Sequence, residues 1–289
     1  MFIADGWRDY ELLDTGDGER LERWGKYILR RPDPQIIWPA KAGSDLWEGF
    51  HARYHRSSSG GGSWEIQSQL PERWVIHYRA LSFYVKAMGF KHTGLFPEQA
   101  ANWEWLIHQI HSQTGQANVL NLFAYTGGAT VAAAHAGAAV CHIDAAKGMV
   151  SWAKENLILS EMAERPVRFI VDDVLKFVQR EKRRNRQYEG IIMDPPSFGR
   201  GPNGEIWKIE DEIYNLVKEC VEVLAPKPRF FLINSYTTGL APTVLKNILS
   251  LTVGERFGGK VSAEEVGLPV SASSIVLPCG ASGRWEAAE

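Results

Sequence analysis

Cysteine is scarce in this 289-residue chain: Cys141, Cys220 and Cys279 are odd in number and far apart, and they form no C-x-x-C pair. That excludes a disulfide framework and a cysteine zinc site, and it fits a reducing compartment. His51, His55 and His77 are scattered among strand-like segments and lack metal-ligand spacing, so no metal is expected. No apolar stretch reaches the roughly 18 residues of a membrane span. The opening MFIADGWRDYELL has no basic segment followed by an apolar run, so no secretory signal is visible. Positive charge is not in excess either. Against 34 Asp and Glu stand 32 Lys and Arg, a net charge of -2, which excludes nucleic-acid binding through bulk charge alone. The expectation is a soluble, cytoplasmic protein.

Aromatics, by contrast, are plentiful. Of 11 Trp, eight fall between Trp7 and Trp105, so the front third is built differently from the rest. Residues 1 to about 100 read as strands and turns. Asp14 to Gly18 (DTGDG) is a turn cluster, Trp24 to Arg30 (WGKYILR) an exposed strand, and Trp74–Tyr78 and Leu81–Val85 two more strands. Pro32, Pro34 and Pro39 break any helix in their stretch. Ser57 to Ser63 (SSSGGGS) reads as a mobile loop between strands. From about Asn102 strands and helices alternate, which implies βαβ units and a parallel sheet. The strands are expected at Val119–Phe123, Val140–Ile143, Val167–Val171, Ile191–Met193, Arg229–Ile233 and Ser274–Leu277. The helices are expected at Ala129–Ala136, Lys147–Leu159, Val174–Glu181, Ile209–Leu224 and Thr243–Leu251. This organisation predicts a β-rich region over residues 1–100, a candidate for substrate binding, and an α/β domain over 101–289.

Four segments carry chemistry. The loop Asn121 to Gly128 (NLFAYTGG) leads from the first strand into a helix, and its glycines allow close backbone approach to a ligand. It is not G-x-G-x-x-G, which weighs against a dinucleotide. Asp144 ends the second strand, where it either accepts from both ribose hydroxyls of a nucleoside or caps the next helix. Asp172 and Asp173 end the third strand, with the same two readings: acceptor for an adenine amino group, or cap. Asp194-Pro-Pro-Ser-Phe198 is the most specific. Two prolines at the carboxyl end of a parallel strand remove two donors and stiffen a turn at the edge where ligands bind. That turn aims Asp194 and the Pro195 carbonyl into a cleft as acceptors, with Phe198 available for stacking. The basic run Arg180 to Arg186 reads as a solvated helix end or as an RNA-phosphate contact. Arg284 and Trp285 read as packing or as substrate contacts.

In this order the segments resemble class I S-adenosylmethionine-dependent methyltransferases. More closely, they resemble the large-subunit ribosomal RNA cytosine-5 group and its relatives. The matching stretches are His92 to Gln99 (HTGLFPEQ), Asn121 to Gly128, Trp152 to Asn156 (WAKEN), Asp172 to Val174 and Asp194 to Pro196. The resemblance implies a Rossmann-like catalytic domain, S-adenosylmethionine as cofactor and an RNA substrate, with ribosomal RNA favoured. It also implies that Tyr125, Thr126, Gly127 and Gly128 hold the methionine part, Asp144 the ribose and Asp173, beside Asp172, the adenine. Asp194 then lies by the transferable methyl, and Gln99 closes one side of the cofactor site. One departure matters. The resembled group carries a Cys after the fifth strand, whereas this chain has Asn234 to Gly239 (NSYTTG) there. Without that nucleophile the expected chemistry is direct methyl transfer, and Cys279 is expected to be a buried small hydrophobe. A catalytically silent RNA-binding relative and a nicotinamide oxidoreductase are the rival readings.

Overall fold

A computed structural model of the chain describes all residues except 41, 58–60, 90, 201–205, 238 and 289, together with the side chains of 44 and 200. The chain divides into two compact units. One comprises residues 1–2, 101–266 and 279–289; the other comprises 3–100 and 267–278. Among the described residues, no helix is long and apolar enough to cross a membrane.

The larger unit is built on strands β1 (Asn118–Leu122), β2 (Ala139–Asp144), β3 (Val167–Val171), β4 (Gly190–Met193), β5 (Phe230–Ser235), β6 (Lys260–Pro269) and β7 (Val276–Glu286). The sheet order is Phe2–Ile3, β6, β7, β5, β4, β1, β2, β3. From β5 to β3 neighbouring strands are parallel, and β7 runs antiparallel to β5. The helices are α1 (Ala100–His111), α2 (Gly128–His135), α3 (Lys147–Leu159), α4 (Val174–Arg183), α5 (Ile209–Val221) and α6 (Pro242–Leu249).

Central strands β4 and β5 are buried at every residue, as strands covered on both faces must be, and so they carry unbroken apolar runs, Ile191–Met193 and Phe230–Ile233, rather than alternating ones. Edge strand β3 is only partly covered. The period of two still sorts the faces. Leu120, Leu122, Cys141, Ile143, Ile191, Met193, Phe231 and Ile233 pack with Phe177, Leu216 and Leu245 from α4, α5 and α6 in one core cluster. The alternate residues include polar groups, and those are paired with helices on the other face. Asn121 Nδ2 donates to Thr130 Oγ1 on α2 at 2.9 Å, and the same hydroxyl lies 2.9 Å from His142 Nδ1. Arg229, just before β5, donates to the carbonyls of Ile110 (2.6 Å), Gln113 (3.2 Å), Thr114 (3.0 Å) and Gly115 (2.9 Å). It thereby satisfies one orphan carbonyl in the last turn of α1 and three in the turn that follows the helix. Arg284 binds Asn102 Oδ1 at 2.7 and 3.0 Å, and Asn102 Nδ2 in turn donates to Asn234 Oδ1 and Ser282 Oγ. Arg284 and Trp285 are therefore packing residues. Burial brings the Arg284 guanidinium down to about 10.

The smaller unit carries a five-stranded sheet in the order Tyr10–Gly16, Glu19–Trp24, Tyr27–Pro32, Ala52–Arg56, Gly62–Ile66. A separate hairpin pairs Trp74–Tyr78 with Leu81–Val85. The segment Trp24–Arg30 is not one exposed strand: it crosses a hairpin turn at Gly25-Lys26, and Trp24 and Leu29 are buried. Likewise Asp14 and Thr15 belong to a strand, and the turn narrows to Asp17 and Gly18, both at positive φ. The Ser57–Ser63 stretch does join two paired strands, Ala52–Arg56 and Gly62–Ile66, while residues 58–60 lie outside the described residues. The unit also buries charge. Burial alone would raise the Glu22 carboxyl, but Arg31, which binds it at 2.6 and 2.7 Å, and Arg20 hold it down to about 2.

Two predictions follow from the buried polar groups. Arg229→Ala leaves four carbonyls without their donor and is expected to cost roughly 3 kcal/mol in denaturant unfolding, with Arg229→Lys recovering only part because one ammonium cannot replace the fork. A loss below about 0.5 kcal/mol, the surface-substitution scale, would contradict the anchoring role. His142 is fully buried with Nε2 unpartnered, and burial pushes its ring down to about 3. In the unfolded chain the imidazole takes a proton below about 6.5. Between those values the unfolded state binds the extra proton, so stability falls as pH drops from about 6.5 toward 3. Unfolding at pH 7.5 and pH 5 should differ by roughly 2 kcal/mol from this one site. His92, lowered to about 4 by burial and by Arg31, adds to it. His142→Gln should shrink the difference whatever its absolute stability; an unchanged pH dependence would refute the assignment.

Candidate functional site

The carboxyl ends of the parallel strands bring most of the expected residues to one edge. Register pairs Leu122 with Ile143 and Met193, and Asp144 with Val171. Asp194, Phe123 and Asp172, just beyond the ends of β4, β1 and β3, thus stand in a row with Asp144, the last residue of β2. Two backbone bonds tie the row together: Asp194 N–H to the Leu122 carbonyl at 3.3 Å, and Asp172 N–H to the Asp144 carbonyl at 3.1 Å.

The loop from β1 to α2 is held in an unusual shape. Phe123 (φ 54), Tyr125 (φ 50) and Gly127 (φ 83) all adopt positive φ, and two of them are not glycine. At Gly127 a Cβ would also lie 2.8 Å from the Ala153 Cβ on α3, so both conformation and space demand glycine there. Three hydrogen bonds impose the shape from outside. Ala124 N–H donates to the Ile143 carbonyl (3.0 Å), Tyr125 N–H to Asp144 Oδ2 (2.8 Å), and buried Asn156 Nδ2 to the Thr126 carbonyl (2.9 Å). Gly127 caps α2 and has no side chain to bond the first amides of that helix.

Asp144 is not the cap of α3. That position belongs to Ala146, whose N–H donates to Asp144 Oδ1 at 2.8 Å. The carboxylate therefore grips two loop amides, one per oxygen, and keeps lone pairs for further donors. Asp173, by contrast, does cap α4: its Oδ1 accepts from Lys176 N–H at 2.8 Å. Asp172 accepts from Asp173 N–H at 2.8 Å and forms an ion pair with Arg180. The basic run is the solvated end of α4, where Lys182 meets Glu219 and Arg184 meets Glu181.

After β4 the chain turns through half-buried Asp194, buried Pro195 and exposed Pro196 and Ser197 into a small hairpin, Phe198–Arg200 with Ile206–Lys208. Phe198 is 51% exposed. Trp207 on the returning strand donates Nε1 to the Pro196 carbonyl at 2.6 Å and lies 5.5 Å from the Phe123 ring. Thr237, after β5, donates its hydroxyl to Ser197 Oγ. Cys279 is half-buried on β7 rather than a core residue, although it shares a face of that strand with buried Ala281 and Trp285. Gln99 lies in the other unit, where it ends the turn Pro97–Gln99 and is buried. The hairpin and Trp207 have no counterpart among the expected elements; Asn156 lies within the WAKEN stretch but carried no expected role.

The donor set fits S-adenosylmethionine. The amino end of α2, opening on Gly127 and Gly128, suits a carboxylate, and Asp144 retains acceptor capacity for ribose hydroxyls. Gly127 lets the backbone come close, and no dinucleotide glycine pattern is present. Among the described residues, no group of three or more His, Cys, Asp and Glu is arranged to hold a metal ion.

Comparison with known proteins agrees. A family model described as S-adenosylmethionine-dependent methyltransferase matches residues 26–243. The chain is similar to a methyltransferase of known crystal structure from Agrobacterium tumefaciens, described as dependent on the same cofactor. The two share 34% identity with a TM-score of 0.92, over 98% of this chain and 92% of that one. The fold is shared with SMU.776, a methyltransferase crystallised with S-adenosylhomocysteine, at 20% identity and a TM-score of 0.75, over 97% of this chain and 76% of that one. The ribosomal RNA large subunit methyltransferase K/L of Methylococcus capsulatus is 30% identical over 230 residues, 74% of this chain and 30% of that protein. Across the relatives of that name the chain spans only 20% to 34% of their length. The chain belongs to the S-adenosylmethionine-dependent methyltransferase family, and S-adenosylmethionine is its cofactor.

Proposed function

We propose that this methyltransferase acts on RNA, with ribosomal RNA in the cytoplasm favoured, and that it transfers the methyl directly to an amine nitrogen of a base. The RNA substrate is supported by the ribosomal RNA methyltransferases that the chain resembles along much of its own length. The observation that carries the direct transfer is the Asp194-Pro-Pro turn, set beside the loop from β1 to α2 by the Asp194 bond to Leu122.

In this reading the amides of Gly128 and its neighbours, with Tyr125, Thr126 and Gly127, hold the methionine end of the cofactor. Asp144 accepts from the ribose. Asp173 uses only Oδ1 as a cap among the described residues, and it offers its other oxygen to the adenine amino group, with Asp172 kept in place by Arg180. Gln99 is assigned to the cofactor on the sequence resemblance alone. When bound, S-adenosylmethionine supplies a methyl group already activated by a sulfonium.

The protein's task is then alignment. The Pro196 carbonyl is taken by Trp207, whereas the Pro195 carbonyl makes no hydrogen bond among the described residues. With Asp194 it accepts the N–H groups of the substrate amine and turns the nitrogen lone pair toward the methyl. The bound cofactor would supply that methyl with its C–S bond breaking as the C–N bond forms, the electron pair remaining on sulfur. The nitrogen becomes positive, Asp194 stabilises that charge, and the displaced proton leaves to solvent. Exposed Phe198 stacks on the base. Cys279 has no covalent role.

Asp194→Ala is expected to slow single-turnover methyl transfer to bulk undermodified RNA by about 10²-fold or more, the scale for losing one preorganised electrostatic partner. S-adenosylhomocysteine affinity on the same preparation should change little. Near-normal transfer would remove Asp194 from the mechanism, and a parallel loss of cofactor binding would move it into the cofactor site. A wild-type protein that binds S-adenosylhomocysteine yet never methylates RNA would favour the silent relative.

A further inference from the structure

The smaller unit contains a cavity of about 410 Å³ lined by Lys26, Tyr27, His51, Gln69, Leu70 and Pro71. It forms where a hairpin tip meets the start of a neighbouring strand. Trp24 and Tyr27 are the last pair of the hairpin, and Gly25 at φ +64 allows the two-residue turn that presents Lys26 to solvent. The Tyr27 ring is set edge-on against Trp74 at 5.1 Å and against His51 at 5.4 Å, so the wall is rigid. His51 is fixed as well. Its Nδ1 accepts the Ile28 N–H at 3.1 Å, and its own N–H donates to the Ile28 carbonyl at 2.8 Å. A neutral ring held in this way carries its proton on Nε2. The His51 carbonyl in turn accepts the amides of Gln67 and Ser68, which positions the Gln69 to Pro71 stretch beside it.

The polar groups converging here share one property. Among the described residues the Lys26 ammonium, 5.3 Å above the Tyr27 ring, has no carboxylate partner, and neither the Tyr27 hydroxyl, the His51 Nε2–H nor the Gln69 amide is hydrogen-bonded. All four donate, no lining residue is acidic, and an aromatic ring and a proline supply flat apolar surface. Such a site takes a ligand that is anionic and acceptor-rich at one end and planar at the other. The volume lies within the range of small-ligand sites.

We propose that this cavity binds one nucleotide of a single-stranded RNA segment, its phosphate at Lys26 and its base against Tyr27 and Pro71, with His51 and Gln69 donating to the base edge. The inference rests on the RNA reading above and assigns to this unit a grip on substrate separate from the methyl-transfer residues. An isolated lysine–phosphate contact supplies salt-sensitive affinity, and a ring supplies sequence-tolerant stacking.

The test is fluorescence anisotropy with a labelled single-stranded oligoribonucleotide of mixed sequence, titrated at several salt concentrations with the full chain. Lys26→Ala, at an exposed position, should weaken binding about 10-fold at low salt and reduce the slope of log K against log salt by about 0.7, the signature of one lost phosphate contact on a single strand. Tyr27→Leu should weaken binding by about 10-fold or more with little change in slope, provided its melting curve shows the fold retained. S-adenosylhomocysteine affinity should be unchanged in both. Wild type that binds RNA, with both variants matching it in affinity and slope, overturns this site and leaves the RNA reading intact. Wild type that neither binds nor methylates RNA overturns both.

Discussion

The loop between β1 and α2 is strained, and the rest of the larger unit is arranged to keep it so. Non-glycine residues at positive φ cost on the order of 1 kcal/mol or more each, and Phe123 and Tyr125 both pay it. The compensation comes from neighbours that are themselves fixed. Asp144 sits at the end of a buried parallel strand, Asn156 is fully buried on α3, and Ala153 leaves no room for a side chain at Gly127. A loop imposed from outside in this way is fixed by its neighbours rather than by a ligand, and for the cofactor role proposed above that lowers the ordering cost of binding.

The same logic extends beneath the loop. The strand that enters it is pinned to the helix that leaves it through Asn121 and Thr130, and the contact to His142 extends the pin to β2. The cost is a buried imidazole with one nitrogen unpaired, which makes the sheet sensitive to acid. At the far side of the sheet, Arg229 and the cluster of Asn102, Asn234, Ser282 and Arg284 fasten α1 to β5 and β7. Polar groups inside this unit are therefore joints between elements. Asp144, at the carboxyl end of β2, is also a joint, gripping two loop amides, and it still keeps lone pairs.

Much of this architecture was legible in the sequence, because the parallel strands are short apolar runs and because Asp-Pro-Pro at a strand end has few structural explanations. The pairs of readings at Asp144 and Asp173 could not be separated there, since an acid before a helix serves equally as cap or as ligand. The structure settles only the capping: Ala146, not Asp144, caps α3, and Asp173 caps α4. Strand β6 was not visible, because Lys260–Pro269 mixes charges, glycine and proline and only its last third is buried. The hairpin carrying Trp207 is three residues a strand, too short for any periodicity. Asn156 and Arg229 gave no signal because a single polar residue in a helix or before a strand is usually solvated; only the fold shows what each reaches.

The most direct measurement is a calorimetric titration of S-adenosylhomocysteine into wild-type protein and into Asp144→Ala, with melting curves confirming that both are folded. Asp144 is assigned to bind ribose and to hold Tyr125 in the loop, so the variant should lose on the order of 1–3 kcal/mol of affinity, the range for leaving hydrogen-bonding groups unpaired. An Asp144→Ala protein that is folded and binds with wild-type affinity would contradict the account, because the cofactor would then have to bind away from this loop.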